Sequence, residues 1–319
     1  MIKVLANDGI SQSGIDALKA KGFEVITEKV AQENLIAHIN SEKIEVLLVR
    51  SATTVRKELI DSCKILKIIG RGGVGMDNID VSYARDKGLE VYNTPSASSD
   101  SVAELVFAHL FGMVRFLYES NRQMPLEGDS NFKELKKAYS GGRELAGKTL
   151  GIIGFGRIGQ EVAKRAIGLG MNVLSHDKLT NEANITLNFF NGDKKTFTVE
   201  TTSLENVLEN SDFVTLHVPK TGDKAVIGAE EIGLMKTGAG IVNTARGGVI
   251  DEDALMFSLD KGKLAYAALD VFNNEPNPSM HLMMHNSLSL TPHIGAATEE
   301  AQDRIGTELA EKIITFFKK

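Results

Sequence analysis

Thr149-Leu150-Gly151-Ile152-Ile153-Gly154-Phe155-Gly156-Arg157-Ile158-Gly159-Gln160 is the stretch whose reading decides the fold. Thr149–Ile153 has the composition of a buried parallel strand. Gly154-x-Gly156-x-x-Gly159 follows at once, and helical spacing runs from Gln160 to Leu169. Alone, G-x-G-x-x-G is a weak pattern. Between a strand and a helix each glycine has its own use. Gly154 permits the tight turn, Gly156 lets a pyrophosphate approach the backbone, and Gly159 lets helix and strand pack closely. The amides that open the helix, at Arg157 and Ile158, and its dipole then favour phosphate. Asp177 ends the next strand, where a carboxylate accepts from ribose hydroxyls and repels a 2′-phosphate. The motif therefore predicts a dinucleotide site that takes NAD rather than NADP. His176 beside it reads as a packing or surface residue.

Upstream, short apolar runs at Ile2–Ala6, Phe23–Ile26, Val46–Val49, Ile68–Ile69 and Glu90–Tyr92 alternate with helical spacing at Gly14–Lys21 and Asn34–Ile39. Such alternation predicts parallel βαβ units. Because a whole α/β unit precedes the fingerprint, two doubly wound parallel-sheet domains are expected. A Rossmann NAD-binding domain, residues 96–291, is inserted into a flavodoxin-like substrate domain, residues 1–95 and 292–319. The cleft between them is the expected reaction site. After Pro95, N-cap oxygens at Ser98, Ser99 and Asp100 precede Val102, Leu105, Val106, Leu110, Met113, Val114 and Leu117, whose spacing predicts one long amphipathic helix. The polar, basic stretch Asn121–Arg143 reads as a loop. Further strands are predicted at Asn172–Ser175, Phe213–Leu216, Gly240–Asn243, Ala265–Leu269 and Leu288–Leu290, and a last helix over Ala301–Phe317. Alternating residues of 185–199 flank Asn191-Gly192, a strong hairpin signal, and predict a small antiparallel excursion after the second strand of this unit.

A chain of 319 residues with 42% hydrophobic content suits two domains that each bury a core. The net charge of -6 argues against a nucleic-acid partner, so an anionic substrate needs local cations. Cys63 is the one cysteine, and within Cys63-Lys64-Ile65-Leu66 it reads as core packing. Disulfides and thiolate metal clusters are thereby excluded, and no metal is expected. Met1–Ala6 has no signal-peptide design, Asp8 follows, and no run approaches the ~20 apolar residues of a membrane span. A cytoplasmic location without a membrane partner is expected.

Downstream, three segments place a reactive side chain near a strand end: Asn243-Thr244-Ala245-Arg246-Gly247-Gly248, Ala268-Leu269-Asp270-Val271-Phe272 running on to Asn274-Glu275-Pro276, and Leu290-Thr291-Pro292-His293-Ile294-Gly295-Ala296. Oxidising a 2-hydroxy acid requires a cation for the carboxylate, a base near neutral pKa for the hydroxyl proton, and a group that orients the base. Arg246 can hold a carboxylate with two parallel bonds. Histidine, with an ordinary pKa of about 6.5, suits the role of base, and a carboxylate partner fixes its tautomer. Arg246, His293 and Glu275 are the candidates, although spacing alone does not establish the set.

At these residues the chain resembles the D-isomer-specific 2-hydroxyacid dehydrogenases over essentially its whole length. The resemblance implies Arg246 for substrate carboxylate and carbonyl, His293 as acid/base, Glu275 as its partner, and Asp270 near the nicotinamide carboxamide. It implies that the dinucleotide also meets His217-Val218-Pro219, Thr244, Ala245 and Gly295. It further implies a homodimer, with the helix after Pro95 in the interface. Val49-Arg50-Ser51-Ala52-Thr53, Gly70 to Asp80, and Asn93-Thr94-Pro95 leading to Ser101-Val102-Ala103-Glu104 are most similar to the branch that acts on 3-phosphoglycerate, the first step of L-serine biosynthesis. Gly73, Val74 and Gly75 can then form an anion nest for the substrate carboxylate, and Arg50 with Ser51 can serve the phosphate. Lys136, Lys137 and Arg143 are candidates for added charge or for a merely solvated loop. With the sequence ending at Lys319, serine feedback through a C-terminal regulatory domain is not expected. Alternatives remain: a glycerate, hydroxypyruvate or lactate dehydrogenase, and an NAD-sensing binding protein like the corepressors that resemble this family. A formate dehydrogenase is disfavoured, since those place an amide at the position of Glu275.

Overall fold

A computed structural model describes residues 1–318, and the chain divides into two units, Met1–Ser101 with the segment from Ala296 onward, and Val102–Gly295. In the first unit, β1 (Lys3–Ala6), α1 (Gln12–Lys19), β2 (Glu24–Ile26), α2 (Leu35–Glu42), β3 (Val46–Val49), α3 (Lys57–Ser62), β4 (Ile68–Arg71), α4 (Val81–Asp86) and β5 (Glu90–Asn93) follow in order. Their strands pair in parallel as β2-β1-β3-β4-β5, the flavodoxin-like order that reverses between β1 and β3. All four residues of β3 are buried, as a central strand covered on both faces must be. Leu5, Leu47 and Ile69 pack on one face with Leu35, Leu59 and Cys63. Val4, Val46 and Ile68 pack on the other with Leu309 and Ile313 of the terminal helix, Glu299–Phe317. Burial pushes the Cys63 thiol up to about 11, as befits an inert core cysteine.

α5 (Ser99–Val114) leads into the second unit, where α6 (Leu117–Glu127) and α7 (Phe132–Ala138) precede β6 (Thr149–Ile153), α8 (Arg157–Gly168) and β7 (Asn172–His176). The hairpin β8 (Glu182–Asn188) and β9 (Lys194–Glu200) comes next. Then follow α9 (Leu204–Asn210), β10 (Phe213–Leu216), α10 (Ala229–Leu234), β11 (Ala239–Asn243), α11 (Glu252–Asp260), β12 (Leu264–Leu269), α12 (Met280–Met283) and β13 (Leu288–Leu290). Six strands pair in parallel as β13-β12-β11-β10-β6-β7. The order reverses between β6 and β10, and in open α/β sheets ligands bind beyond the carboxyl ends at such a point.

Two expectations need correction. The long helix after Pro95 is two: α5 ends at Val114, and Phe116, at φ 52, turns the chain by 55° into α6. The stretch from Asn121 to Arg143 is not simply a loop, for it holds the rest of α6 and all of α7. These two helices bury only Leu135, so they lack the apolar stripe that spacing detects. The two units divide after Ser101 and after Gly295. Arg304 Nε donates to Ala97 O at 2.8 Å within the first unit, and the Ile294 and Gly295 amides donate to Asp270 within the second. Among the described residues no single helix is long and apolar enough to cross a membrane; α5 and α6 reach that length only as a bent pair.

Candidate active site

At the reversal point of the second sheet, the turn after β6 runs against the end of β10. Gly154 has φ 94, and a Cβ there would lie 2.6 Å from the His217 carbonyl oxygen. A Cβ on Gly159 would collide with the Gly154 carbonyl, so the start of α8 is locked onto the turn. Gly156, the N-cap of α8, is different: nothing lies within 4 Å of the place a Cβ would take. Its open face adjoins the amides of Arg157 and Ile158, which the first helical turn leaves without an intrahelical acceptor. His217 Nδ1, after β10, and Thr244 Oγ1, after β11, are buried without a partner among the described residues. An open glycine, unpaired helix amides and unmatched buried polar atoms along one edge are what a dinucleotide would complete.

Asp177 lies just past β7. Its Oδ2 accepts from Phe155 N at 2.6 Å, and its Oδ1 from Leu179 N and Thr180 N at 2.7 and 3.0 Å. Burial opposes its ionisation, yet the amides of Leu179, Phe155 and Thr180 outweigh this and hold the carboxyl below its ordinary range. A carboxylate has about four acceptor positions, so one remains for a ribose hydroxyl. His176 Nδ1 bonds Thr202 O at 2.8 Å, which matches a packing role. Val218 packs against Gly154, and exposed Pro219 follows it.

The three strand-end segments form one connected constellation. Buried Asn243 closes the turn after β11: Ala245 N donates to its Oδ1 at 3.0 Å, and its Nδ2 donates to Arg246 O at 2.9 Å. A side chain on Gly247 would collide with the Phe272 carbonyl, so the Arg246 turn lies directly on the segment that leads to Glu275. Phe272 N donates to Glu275 Oε1 at 3.0 Å, and Glu275 Oε2 meets His293 Nδ1 at 2.8 Å. Glu252 Oε1 accepts from Asn273 N at 2.7 Å and pins the same segment. His293 has φ 56, a left-handed conformation uncommon outside glycine. Buried Asp270 clamps the flanks of this residue: Thr291 Oγ1, Ile294 N and Gly295 N all donate to it, at 2.7, 2.8 and 2.8 Å. With Nδ1 on Glu275, Nε2 is the ring atom left for a reacting proton.

The first unit carries the expected substrate groups on adjacent strand ends. Arg50 and Ser51 follow β3, and together with Asn7, Asp8, Gly9, Thr27, Lys29 and Ala52 they line an open cavity of about 430 Å³ at the β1/β3 reversal point. Asp8 is occupied with shaping this rim, accepting from Arg50 N, Thr53 N and Thr53 Oγ1. Gly73, Val74 and Gly75 follow β4; Gly73 N donates to Arg71 O at 3.0 Å, which leaves the amides of Val74 and Gly75 for an anion. Lys29 is a cation that sequence reasoning missed, and its signal was a lysine three residues past β2 at the reversal point. Lys136 and Lys137 are exposed on α7, whereas Arg143 stacks on Tyr266 and reaches Gly238 O, away from any strand's carboxyl end.

Comparison with known proteins agrees with this geometry. Residues 107–295 match the model of the D-isomer specific 2-hydroxyacid dehydrogenase NAD binding domain. The chain belongs to this family. NAD is therefore its cofactor, and the glycines, helix amides and unmatched polar atoms described above fit it. Hydroxypyruvate reductase of Thermotoga maritima is 42% identical over 98% of this chain and 97% of its own length. D-3-phosphoglycerate dehydrogenase of Methanocaldococcus jannaschii is 41% identical over 98% of this chain, which spans only 57% of that longer protein. Among solved structures, D-lactate dehydrogenase of Aquifex aeolicus complexed with NAD and lactic acid matches with TM-score 0.76 at 30% identity, covering all of this chain and 96% of that one. The TT0316 protein of Thermus thermophilus matches with TM-score 0.85 at 30% identity, covering 99% and 97%.

Proposed function

We propose that the chain oxidises 3-phospho-D-glycerate to 3-phosphohydroxypyruvate with NAD, the first step of L-serine synthesis, as a cytoplasmic homodimer. The observation that carries the substrate is the cavity at the β1/β3 reversal point, where Lys29 and Arg50 supply two cations on a chain of net charge -6. In this reading Arg246 and the Val74 and Gly75 amides hold the substrate carboxylate, and Arg50, Ser51 and Lys29 receive the phosphate. His293 Nε2 takes the C2 hydroxyl proton as the C2 hydride departs and the carbonyl forms. Glu275 keeps the imidazole in the Nδ1-protonated tautomer and stabilises the imidazolium. When bound, NAD supplies the hydride acceptor. Asp270, whose carboxylate receives Thr291, Ile294 and Gly295, serves here by holding the loop 291–295.

A second reading, reduction of unphosphorylated hydroxypyruvate, is favoured by the Thermotoga relative, which this chain covers nearly end to end. The two separate in one assay of NADH oxidation with 3-phosphohydroxypyruvate beside hydroxypyruvate. The proposal expects a strong preference for the phosphorylated acid. It also expects Arg50→Ala to raise KM for that acid by at least about tenfold, the worth of one charge-assisted contact, with little change for hydroxypyruvate. Equal effects on both acids, or a preference for hydroxypyruvate, would return Arg50 to a structural role and favour the second reading.

A further inference from the structure

His109 lies on α5 and is 4% exposed. Its Nδ1 is 2.8 Å from Ser289 Oγ in β13, and its Nε2 is 3.1 Å from Thr291 Oγ1 just beyond that strand. Thr291 Oγ1 in turn lies 2.7 Å from Asp270 Oδ1. The directions of these bonds follow from proton counting. An ionised carboxylate only accepts, and a threonine hydroxyl has one proton to give. Thr291 therefore donates to Asp270, and its oxygen must accept from His109. His109 then carries its proton on Nε2, and its bare Nδ1 accepts from the Ser289 hydroxyl. The chain of donors runs one way, Ser289 to His109 to Thr291 to Asp270. It ends on the carboxylate that also receives the amides of Ile294 and Gly295, the two residues after His293.

We infer that His109 is a positioning residue for His293: as a neutral, Nε2-protonated imidazole it fixes the Thr291 hydroxyl on Asp270, and through that clamp it holds the left-handed loop that presents His293 to Glu275. The kinetic part of this inference rests on the proposed acid/base role of His293, whereas the tautomer does not. Burial disfavours the charged form of His109, against a smaller opposing effect of Asp270, so the imidazole is held below its ordinary range, in keeping with the neutral ring that the proton count requires. A cation would force both ring nitrogens to donate and would reverse the Ser289 bond. The loop gains from such a clamp because His293, at φ 56, occupies a backbone conformation that its surroundings must impose.

The ring proton is read by nitrogen-15 NMR of histidine-labelled protein, with the His109 signals assigned by their loss in His109→Gln. The inference expects the Nε2-protonated tautomer at neutral pH; an Nδ1-protonated ring or a cation overturns it, whatever the protein turns over. Kinetics are measured with NADH and the faster of 3-phosphohydroxypyruvate and hydroxypyruvate. Thr291→Val, nearly isosteric, breaks the chain and is expected to lower kcat at least tenfold, with KM and NADH affinity within about twofold of the parent. His109→Gln, whose amide reaches as Nε2 does, is expected to retain most of kcat. His109→Asn, which reaches only Ser289, is expected to behave like Thr291→Val. The His109→Asn/Thr291→Val double variant should be no slower than either single variant, because both cut one chain. Equal kcat in Gln, Asn and parent proteins, or additive losses, overturns the role. Should His109→Asn not fold, Thr291→Val with unchanged kcat overturns it alone.

Discussion

His293 holds φ 56 between neighbours that are tied down on both sides: Thr291, Ile294 and Gly295 donate to Asp270, and the His293 amide itself donates to Thr291 O at 3.1 Å. That residue and Glu275 are each more than a third exposed within their unit, so the ring is reachable and only its Nδ1 side is committed. Asparagine is the informative replacement, since it tolerates the left-handed region and can keep a bond to Glu275 while lacking a proton-accepting nitrogen. His293→Asn should lower kcat by about 10²–10⁴-fold, the usual worth of general acid–base catalysis, with NADH affinity nearly unchanged. Near-full turnover in that variant would remove His293 from the chemistry. The residues of this site were legible because each stands in a short motif at a strand end. His109 was not, since its partners Ser289 and Thr291 lie 180 and 182 residues away and nothing in local spacing announces them. Lys29 was missed for a similar reason, as its meaning comes from facing Arg50 across a strand-order reversal.

Elements with a buried face announced themselves. β3 and β10 are buried at every position and read as apolar runs, and Asn191-Gly192 marked the β8–β9 hairpin, which buries Ile185 while leaving Phe190 fully exposed at its tip. α6 and α7 escaped because their sequence is polar and Pro125 sits inside α6, where a proline ordinarily argues against a helix. What these helices expose is informative: Phe111 at the end of α5, Leu117 and Leu126 on α6 and Phe132 on α7 are 44%, 63%, 73% and 56% exposed. Exposed apolar groups that gather on one surface suit association; Phe111 and Leu117 belong to the stretch that the resemblance implies for a dimer interface, and Leu126 and Phe132 stand on the helices that follow it. A Leu126→Glu/Phe132→Glu protein should therefore run as a monomer by light scattering at concentrations where the parent runs as a dimer. A parent that is already monomeric, or a variant that stays dimeric, would assign this surface to something else.

For the molecule as a whole, acid should act through a few buried groups. His217 is pushed down to about 3 by burial, and His109 is lowered by burial in the same unit. The unfolded chain binds a proton at each near pH 6.5 while the folded chain does not. Their contribution to stability is therefore complete above about pH 6.5 and is lost progressively as pH falls toward the folded values, by at most about 1.4 kcal/mol per histidine per pH unit. Asp177 adds to the loss only at lower pH, because its depressed carboxyl favours the fold above the ordinary range near 3.9 and loses that advantage as it protonates. Between pH 6.5 and 5 the histidines act almost alone among these groups. Thermal unfolding of the NAD-free protein should thus move down by roughly 5 °C or more across that interval. A His109→Gln/His217→Gln protein, which has nothing to protonate at either place, should start lower at pH 7 but show a much flatter response from 6.5 to 5. If the double variant falls as steeply as the parent, the acid sensitivity lies in other groups and these two imidazoles are not held neutral by the fold.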